Sequence, residues 1–295
     1  MNRFSSLFSS GSSSSSSHTW NALEADNHSS TKIHQSYSAQ SLGLSQYQYR
    51  TVQVKSSTMD ALADAAWANK VVKNVLHAGA GNQIQDISES YGESWARNHL
   101  ASDAYSGGAT INQLKRAQKF QGGNCPVSAS VAAVALQGRT DAPIYRLRTS
   151  LPQGGNHEFI LLGDRRSSQW GDSNTVVVDP WPHKPSASTF DQAFLQDART
   201  GQQTPLQDVV AHYRSEEYKA REVSSSDRNR LSKIKPMDTD TINHKLAKQH
   251  LPTIGNDLVS HIYATQSHKL FDARVSTDPS THYTDGYDTK SFDTL

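Results

Sequence analysis

A chain of 295 residues with a net charge of +1 and 35% hydrophobic residues has room for one domain with long polar ends rather than two full cores. That charge balance supplies no field for holding nucleic acid or an anionic membrane, and no apolar run approaches transmembrane length. The one cysteine, Cys125, excludes an internal disulfide and any zinc site built on cysteines.

The chain opens Met1-Asn2-Arg3-Phe4 and soon reaches six consecutive serines, Ser12 to Ser17. It lacks the apolar h-region of a secretory signal peptide, and Asn2 in place of glycine excludes N-myristoylation. Residues 1–54 are rich in Ser, Gln, His and Asn, a composition that cannot bury enough surface to fold and reads as a disordered segment. Helical spacing then begins after Ser57-Thr58, with Met59, Leu62, Ala66, Val71 and Val75 on one face and Gly79 as a stop. A second helix is predicted over 83–100, carrying Ile84, Ile87, Tyr91 and Trp95 and weakened by Gly92. A third is predicted over 110–120. All three read as packing helices.

Next comes Gln121-Gly122-Gly123-Asn124-Cys125-Pro126. The glycine pair allows a sharp turn and a close approach of backbone to a ligand. Asn124 suits an N-cap, and Pro126 is tolerated in a helix's first turn. The small apolar residues that follow, up to Gly138, predict a buried helix with the sulfur at its N-terminus. A helix N-terminus favours an anion, and thiols so placed ionise at ~3.5 to ~7.5 rather than about 8.5. Taken alone, a lone cysteine is more often a small buried hydrophobe.

The period then changes to that of strands, predicted over 143–149, 157–163 and 175–179, with a turn at Gly154-Gly155-Asn156 and a polar hairpin loop over 164–173. Two closing helices are expected over 190–198 and 204–218. Beyond residue 220 the chain is polar again. Arg228, Arg230, Lys233 and Lys235 form a short basic run without interleaved aromatics, which reads as a solvated surface. Short helices are predicted over 241–250 and 256–265, and disorder over 266–295. The organisation expected is therefore a polar segment (1–54), an α+β body of helices followed by an antiparallel meander (55–220) and a polar, partly helical to disordered tail (221–295).

Three residues stand at special places in this layout. Cys125 opens a helix, His157 opens a strand, and Asp179 closes the next strand before Pro180. In an antiparallel hairpin the start of one strand lies beside the end of its neighbour, so His157 and Asp179 are expected to meet at the sheet end that the helix tip can reach. His157 would take the thiol proton, and Asp179 would orient and stabilise the ring. The Cys125 N–H and one amide side chain would hold an oxyanion. Gln118, Gln121 and Asn124 are candidates for that amide, with Gln121 favoured. Trp181 is expected to pack over the His157–Asp179 pair, and His183 to line the cleft.

At Gly-Asn-Cys (123–125), Asn-His-Glu-Phe-Ile (156–160) and Val-Val-Val-Asp-Pro-Trp (176–181) the chain resembles the papain-like (transglutaminase-like) cysteine hydrolases, in the branch of effectors and toxins that bacteria deliver into host cells. The likeness covers about residues 118–182 and reaches neither end of the chain. It implies a papain-like fold, a Cys125 nucleophile, a His157 base and an Asp179 orienting acid. It also implies a thiol endopeptidase or glutamine deamidase, or a transglutaminase, acting on a host protein. A Ser-rich start fits a type III secretion signal with a secretion chaperone as partner, and the enzyme is expected to be a monomer. One departure is Lys119, which stands six residues before the cysteine where the papain type has its oxyanion glutamine. The competing class is a non-catalytic effector that binds a host protein through the same scaffold.

Thirteen histidines invite a metal, but His244 and His250 are six apart and no His-Glu-x-x-His pattern occurs. No phosphate-binding glycine loop is present. The expected chemistry uses no cofactor and no metal.

Overall fold

The computed structural model describes residues 19–24 and 50–285; most of the polar segment predicted over 1–54, and the last ten residues, lie outside that range. In chain order the elements are β1 (Arg50–Val54), α1 (Ser56–Val75), α2 (Ile84–Glu89), α3 (Glu93–Ala104), α4 (Thr110–Phe120), α5 (Cys125–Leu136), β2 (Ile144–Ser150), β3 (Asn156–Leu162), α6 (Gly171–Asn174), β4 (Val176–Val178), β5 (Ser188–Thr189), β6 (Phe194–Asp197), β7 (Gln203–Pro205), α7 (Leu206–His212), β8 (Ser215–Lys219), α8 (Ser225–Leu231), α9 (Thr239–Lys248), α10 (Asn256–Gln266), β9 (Ala273–Ser276) and β10 (Thr281–Asp285). No described helix is long and apolar enough to cross a membrane.

The centre is a five-stranded antiparallel sheet in the order β5-β4-β3-β2-β8. Successive side chains on a strand face opposite sides, and both sides of this sheet are covered. Ile144, Ile160, Leu162, Val176 and Val178 meet α1 and α5 in one core. Leu147, Phe159, Leu161 and Val177 meet Leu206 and Val209 of α7, with Leu195 of β6 and Val275 of β9, in a second. This explains why β3 and β4 read as unbroken apolar runs. Helix α5 lies against β3 and is buried at every residue except Pro126. Its run of Ala and Val lets the backbone come close to the sheet.

A third core joins Ile87, Trp95 and Leu100 to Ile242, Leu246, Leu258 and Ile262, so α9 and α10 pack onto α2 and α3. The predicted 83–100 helix is accordingly broken. Gly92 adopts φ +87 between α2 and α3, and a Cβ there would stand 2.9 Å from Leu258 of α10.

The expectation of two closing helices is corrected. Residues 194–197 form β6, between β7 and β9 in a three-stranded antiparallel sheet, and only 206–212 of the second stretch is helical before β8. The expectation of disorder over 266–295 is corrected as far as residue 285, the last ten residues lying outside the described range. Residues 267–269 form a 3-10 turn, β9 pairs with β6, and β10 pairs in parallel with β1. Tyr283 is 1% exposed and accepts the Thr189 N–H at 3.1 Å. Helix α8, which carries Arg228 and Arg230 of the basic run, has a capping box at Ser224 and Asp227 and buries Leu231. Residues 225–285 are thus packed against the 55–220 body and are not a separate tail. A short N-terminal piece docks there too, with Trp20 bridged to Ile234 and Ala22 buried.

Candidate active site

Helix α4 ends at Phe120, and Gln121 turns the chain at φ +50. The next two residues thread a space that only glycine permits. A Cβ on Gly122 would overlap the backbone of Arg97, and one on Gly123 would overlap Val127. Arg97 anchors the turn from α3, donating to the Phe120 carbonyl at 2.9 Å and to Met237 O at 2.8 Å. The chain then enters α5 with Cys125 as its first residue and Pro126 as its second. The Cys125 N–H sits in the first turn, where no intrahelical acceptor exists. Its sulfur lies 3.9 Å from Asn156 O, beside the start of β3.

His157 and Asp179 stand on the same face of the sheet as Phe159 and Val177. The β3–β4 register pairs Ile160 with Val178, and carrying it one step further sets Asp179 opposite Phe159. His157 Nε2 and Asp179 Oδ2 are 2.7 Å apart, both side chains 1% exposed. The second carboxylate oxygen of Asp179 accepts the Trp181 N–H at 3.2 Å. Cys125 lies beside the ring in the wall of the same cleft and adds to its positive shift. Burial opposes a charged ring here. The Asp179 carboxylate, through charge and hydrogen bond, outweighs it, with a smaller contribution from Cys125, and the imidazole is pushed up from 6.5 to about 10. A buried histidine between a carboxylate and a sulfur is therefore held as imidazolium at neutral pH.

The indole of Trp181 packs against the imidazole with ring centroids 4.8 Å apart and is itself 1% exposed. It shields the pair from water on that side. Its Nε1 donates to Asn82 Oδ1 at 2.9 Å.

A cleft of about 430 Å³ opens at the sulfur, and its walls include Asn82, Gln113, Asn124, Arg146, Asn156, Glu158, Tyr218 and Phe271 beside Cys125 and His157. Arg146 Nη2 and Glu158 Oε1 are 2.7 Å apart in its floor, and Arg146 also reaches Ser130 Oγ at 2.8 Å.

The three residues predicted to converge do so; the predicted amides do not all follow. Gln121 is 1% exposed and spent elsewhere: its Oε1 accepts Met237 N–H at 2.8 Å and its Nε2 donates to Gln118 O at 2.8 Å. The left-handed turn at residue 121 sends this side chain back along α4, away from the sulfur. Gln118 donates to Lys233 O at 3.1 Å and is not part of the cleft wall. Asn124 does line the cleft. It occupies the N-cap position without making the cap bond, and its Oδ1 is buried with no partner. His183 is corrected to a neighbouring cleft, between Asp86 (Nδ1 to Oδ1, 2.6 Å) and Glu89 (Nε2 to Oε2, 3.2 Å).

Asn82, Arg146, Glu158, Tyr218 and Phe271 were not picked out from the sequence. A signal existed for Asn82 alone: Gly79-Ala80-Gly81-Asn82 is a glycine-flanked polar loop of the same kind as the cysteine turn. Among the described residues no cluster of three or more His, Cys, Asp or Glu is placed to hold a metal ion.

No family model, no curated protein and no solved structure matches the chain. What the site can do therefore rests on its own geometry. A buried imidazole paired with a carboxylate stands beside a thiol at a helix N-terminus, and a cleft leads to it.

Proposed function

We propose that the chain is a cofactor-independent cysteine hydrolase of papain-like type, with Cys125 as nucleophile, His157 as general acid and base and Asp179 as the orienting acid. The observation that carries this reading is the buried Asp179–His157 pair beside Cys125 at the tip of α5, with a polar cleft opening at the sulfur. A structural histidine needs one partner; this one holds a carboxylate on one nitrogen and shares a cleft wall with the chain's sole thiol.

The thiolate attacks the carbonyl carbon of an amide, forming a C–S bond while the carbonyl electron pair moves to oxygen. His157 gives its proton to the amide nitrogen as the C–N bond breaks, releasing an amine, or ammonia if the amide is a glutamine side chain. His157 then takes a proton from water, whose oxygen attacks the thioester. A carboxylic acid leaves and the thiolate returns. Asp179 keeps the ring's tautomer and orientation throughout. Endopeptidase and glutamine deamidase share these steps, and both take a protein amide as substrate. The Ser-rich start supports delivery of the protein by a bacterium into a host cell, with a host protein as that substrate.

The test is incubation of wild type and Cys125→Ala with host-cell lysate, followed by peptide mass spectrometry. New peptide termini mark proteolysis and glutamine-to-glutamate mass changes mark deamidation, in both cases only with wild type. Identical peptide maps for the two proteins would overturn the reading.

A further inference from the structure

Gln118 and Gln121 are engaged elsewhere, which leaves the amides of the cleft wall, Asn124 and Asn82 among them, to supply a second oxyanion donor. We infer that Asn82 is that donor, its Nδ2 acting with the Cys125 N–H, and that Trp181 is the residue that aims it. This assignment rests on the hydrolase reading above.

Four observations carry it. First, Asn82 lines the same cleft as Cys125 and His157. Second, its amide is oriented. The Trp181 Nε1–H can be accepted only by the amide oxygen, so the 2.9 Å bond sets Oδ1 toward the indole and turns the NH₂ group away from it. Among the described residues that NH₂ donates to no protein group.

Third, the backbone of Asn82 is pinned from both sides. Asn82 O accepts the Phe271 N–H at 2.8 Å, and Ile84 N–H donates back to Phe271 O at 2.9 Å. Gly81 N–H donates to Gly123 O at 2.8 Å, which fixes the loop to the turn that carries the sulfur. Behind it, Asp86 accepts the Ala80 N–H at 2.6 Å. An oxyanion donor stabilises charge without reorganisation only when it is held in this way. Fourth, Trp181 is shared. Its main chain donates to Asp179 and its ring covers His157, while its indole N–H holds Asn82. One side chain thereby sets the relative placement of the proton-transfer pair and the amide donor.

The experiment separates this assignment from the reading beneath it by using two probes. Iodoacetamide alkylates a thiolate without forming an oxyanion, so its rate reports the Cys125–His157 pair alone. p-Nitrophenyl acetate acylates the thiolate through an oxyanion, giving acetyl-Cys125 and a burst of p-nitrophenolate. Asn82→Ala and Asn82→Asp, the latter keeping an oxygen for Trp181 but lacking the donor, are expected to lose on the order of 100-fold in burst rate. Asn82→Ala should keep its alkylation rate within about threefold. Trp181→Phe keeps a ring over His157 but frees the amide. It is expected to lose burst rate by about tenfold, again with alkylation nearly unchanged, a split that general loosening of the fold does not produce.

Burst rates at wild-type level in both Asn82 variants overturn the assignment and leave the thiolate reading standing. So does a wild-type protein alkylated in a His157-dependent way that shows no ester burst. Wild-type alkylation no faster than that of His157→Ala overturns the hydrolase reading itself.

Discussion

Gly81 donates its backbone N–H to the carbonyl oxygen of Gly123 at 2.8 Å. Through that bond the loop before α2 and the turn before α5, 42 positions apart, are fastened main chain to main chain beside the sulfur. Side chains on either glycine would intrude. A Cβ on Gly81 would overlap Asn98 and one on Gly123 would overlap Val127, while on the adjacent Gly122 it would overlap Arg97.

Gly81→Ala and Gly122→Ala are therefore expected to lower stability by about 1–3 kcal/mol each, as overpacking of a close backbone approach does. Gly154→Ala, where an added Cβ meets nothing within 4 Å but φ is +92, isolates the cost of backbone strain alone. Urea unfolding of the three variants checks the order, with the first two lower than the third.

His157 gives stability a pH signature. Its ring is raised from 6.5 to about 10 in the folded protein, so the folded state holds a proton there that the unfolded chain releases. The contribution is whole below about pH 6.5 and is lost progressively as pH rises toward 10. Replacing the carboxylate by Asp179→Asn removes most of it. The difference in melting temperature between wild type and Asp179→Asn should be largest near pH 6 and shrink steadily up to pH 10. A difference that grows with pH would contradict the assignment.

The same variant predicts the chemistry. Asp179→Asn keeps a side chain of equal size beside His157 but removes the charge that holds the imidazolium. Amide hydrolysis should fall by two or more orders of magnitude, up to the ~10⁴-fold that follows when a triad carboxylate becomes an amide. The rate of iodoacetamide alkylation near pH 6 should fall as well.

Arg146 and Glu158 form an ion pair in the cleft floor with side chains only 10% and 11% exposed. Arg146→Ala leaves a buried carboxylate without its partner, a change that typically costs about 3–5 kcal/mol. Arg146→Ala with Glu158→Gln should recover a large part of that loss. Thermal melts of the single and double variants test the coupling.

Much of the site could be read from local chemistry. Helix α4 begins and ends where its spacing and glycines indicated, and Cys125 opens α5 because Pro126 and the Gly-Gly turn leave few other arrangements. β3 and β4 follow from uninterrupted β-branched and aliphatic runs, and their antiparallel pairing alone brings His157 and Asp179 together. What escaped was set by distant partners. Residues 194–197 carry no strand pattern strong enough to outweigh a helix reading, and they become β6 because residues 273–276 arrive to pair with them. Gln121 has the right side chain near the sulfur, but its left-handed backbone and the Arg97 and Met237 contacts turn it away. Asn82 joins the cleft through bonds to Phe271, Trp181 and the Gly123 turn, none of them local in sequence.

The parallel pairing of β1 with β10 joins Arg50 to Thr281, and the same late segment supplies Phe271 to the cleft wall. A polypeptide that emerges from a ribosome in N-to-C order presents its thiol and imidazole more than a hundred residues before Phe271, which joins them in the cleft wall. The order in which the chain becomes available thus also sets when the cleft acquires its final contour.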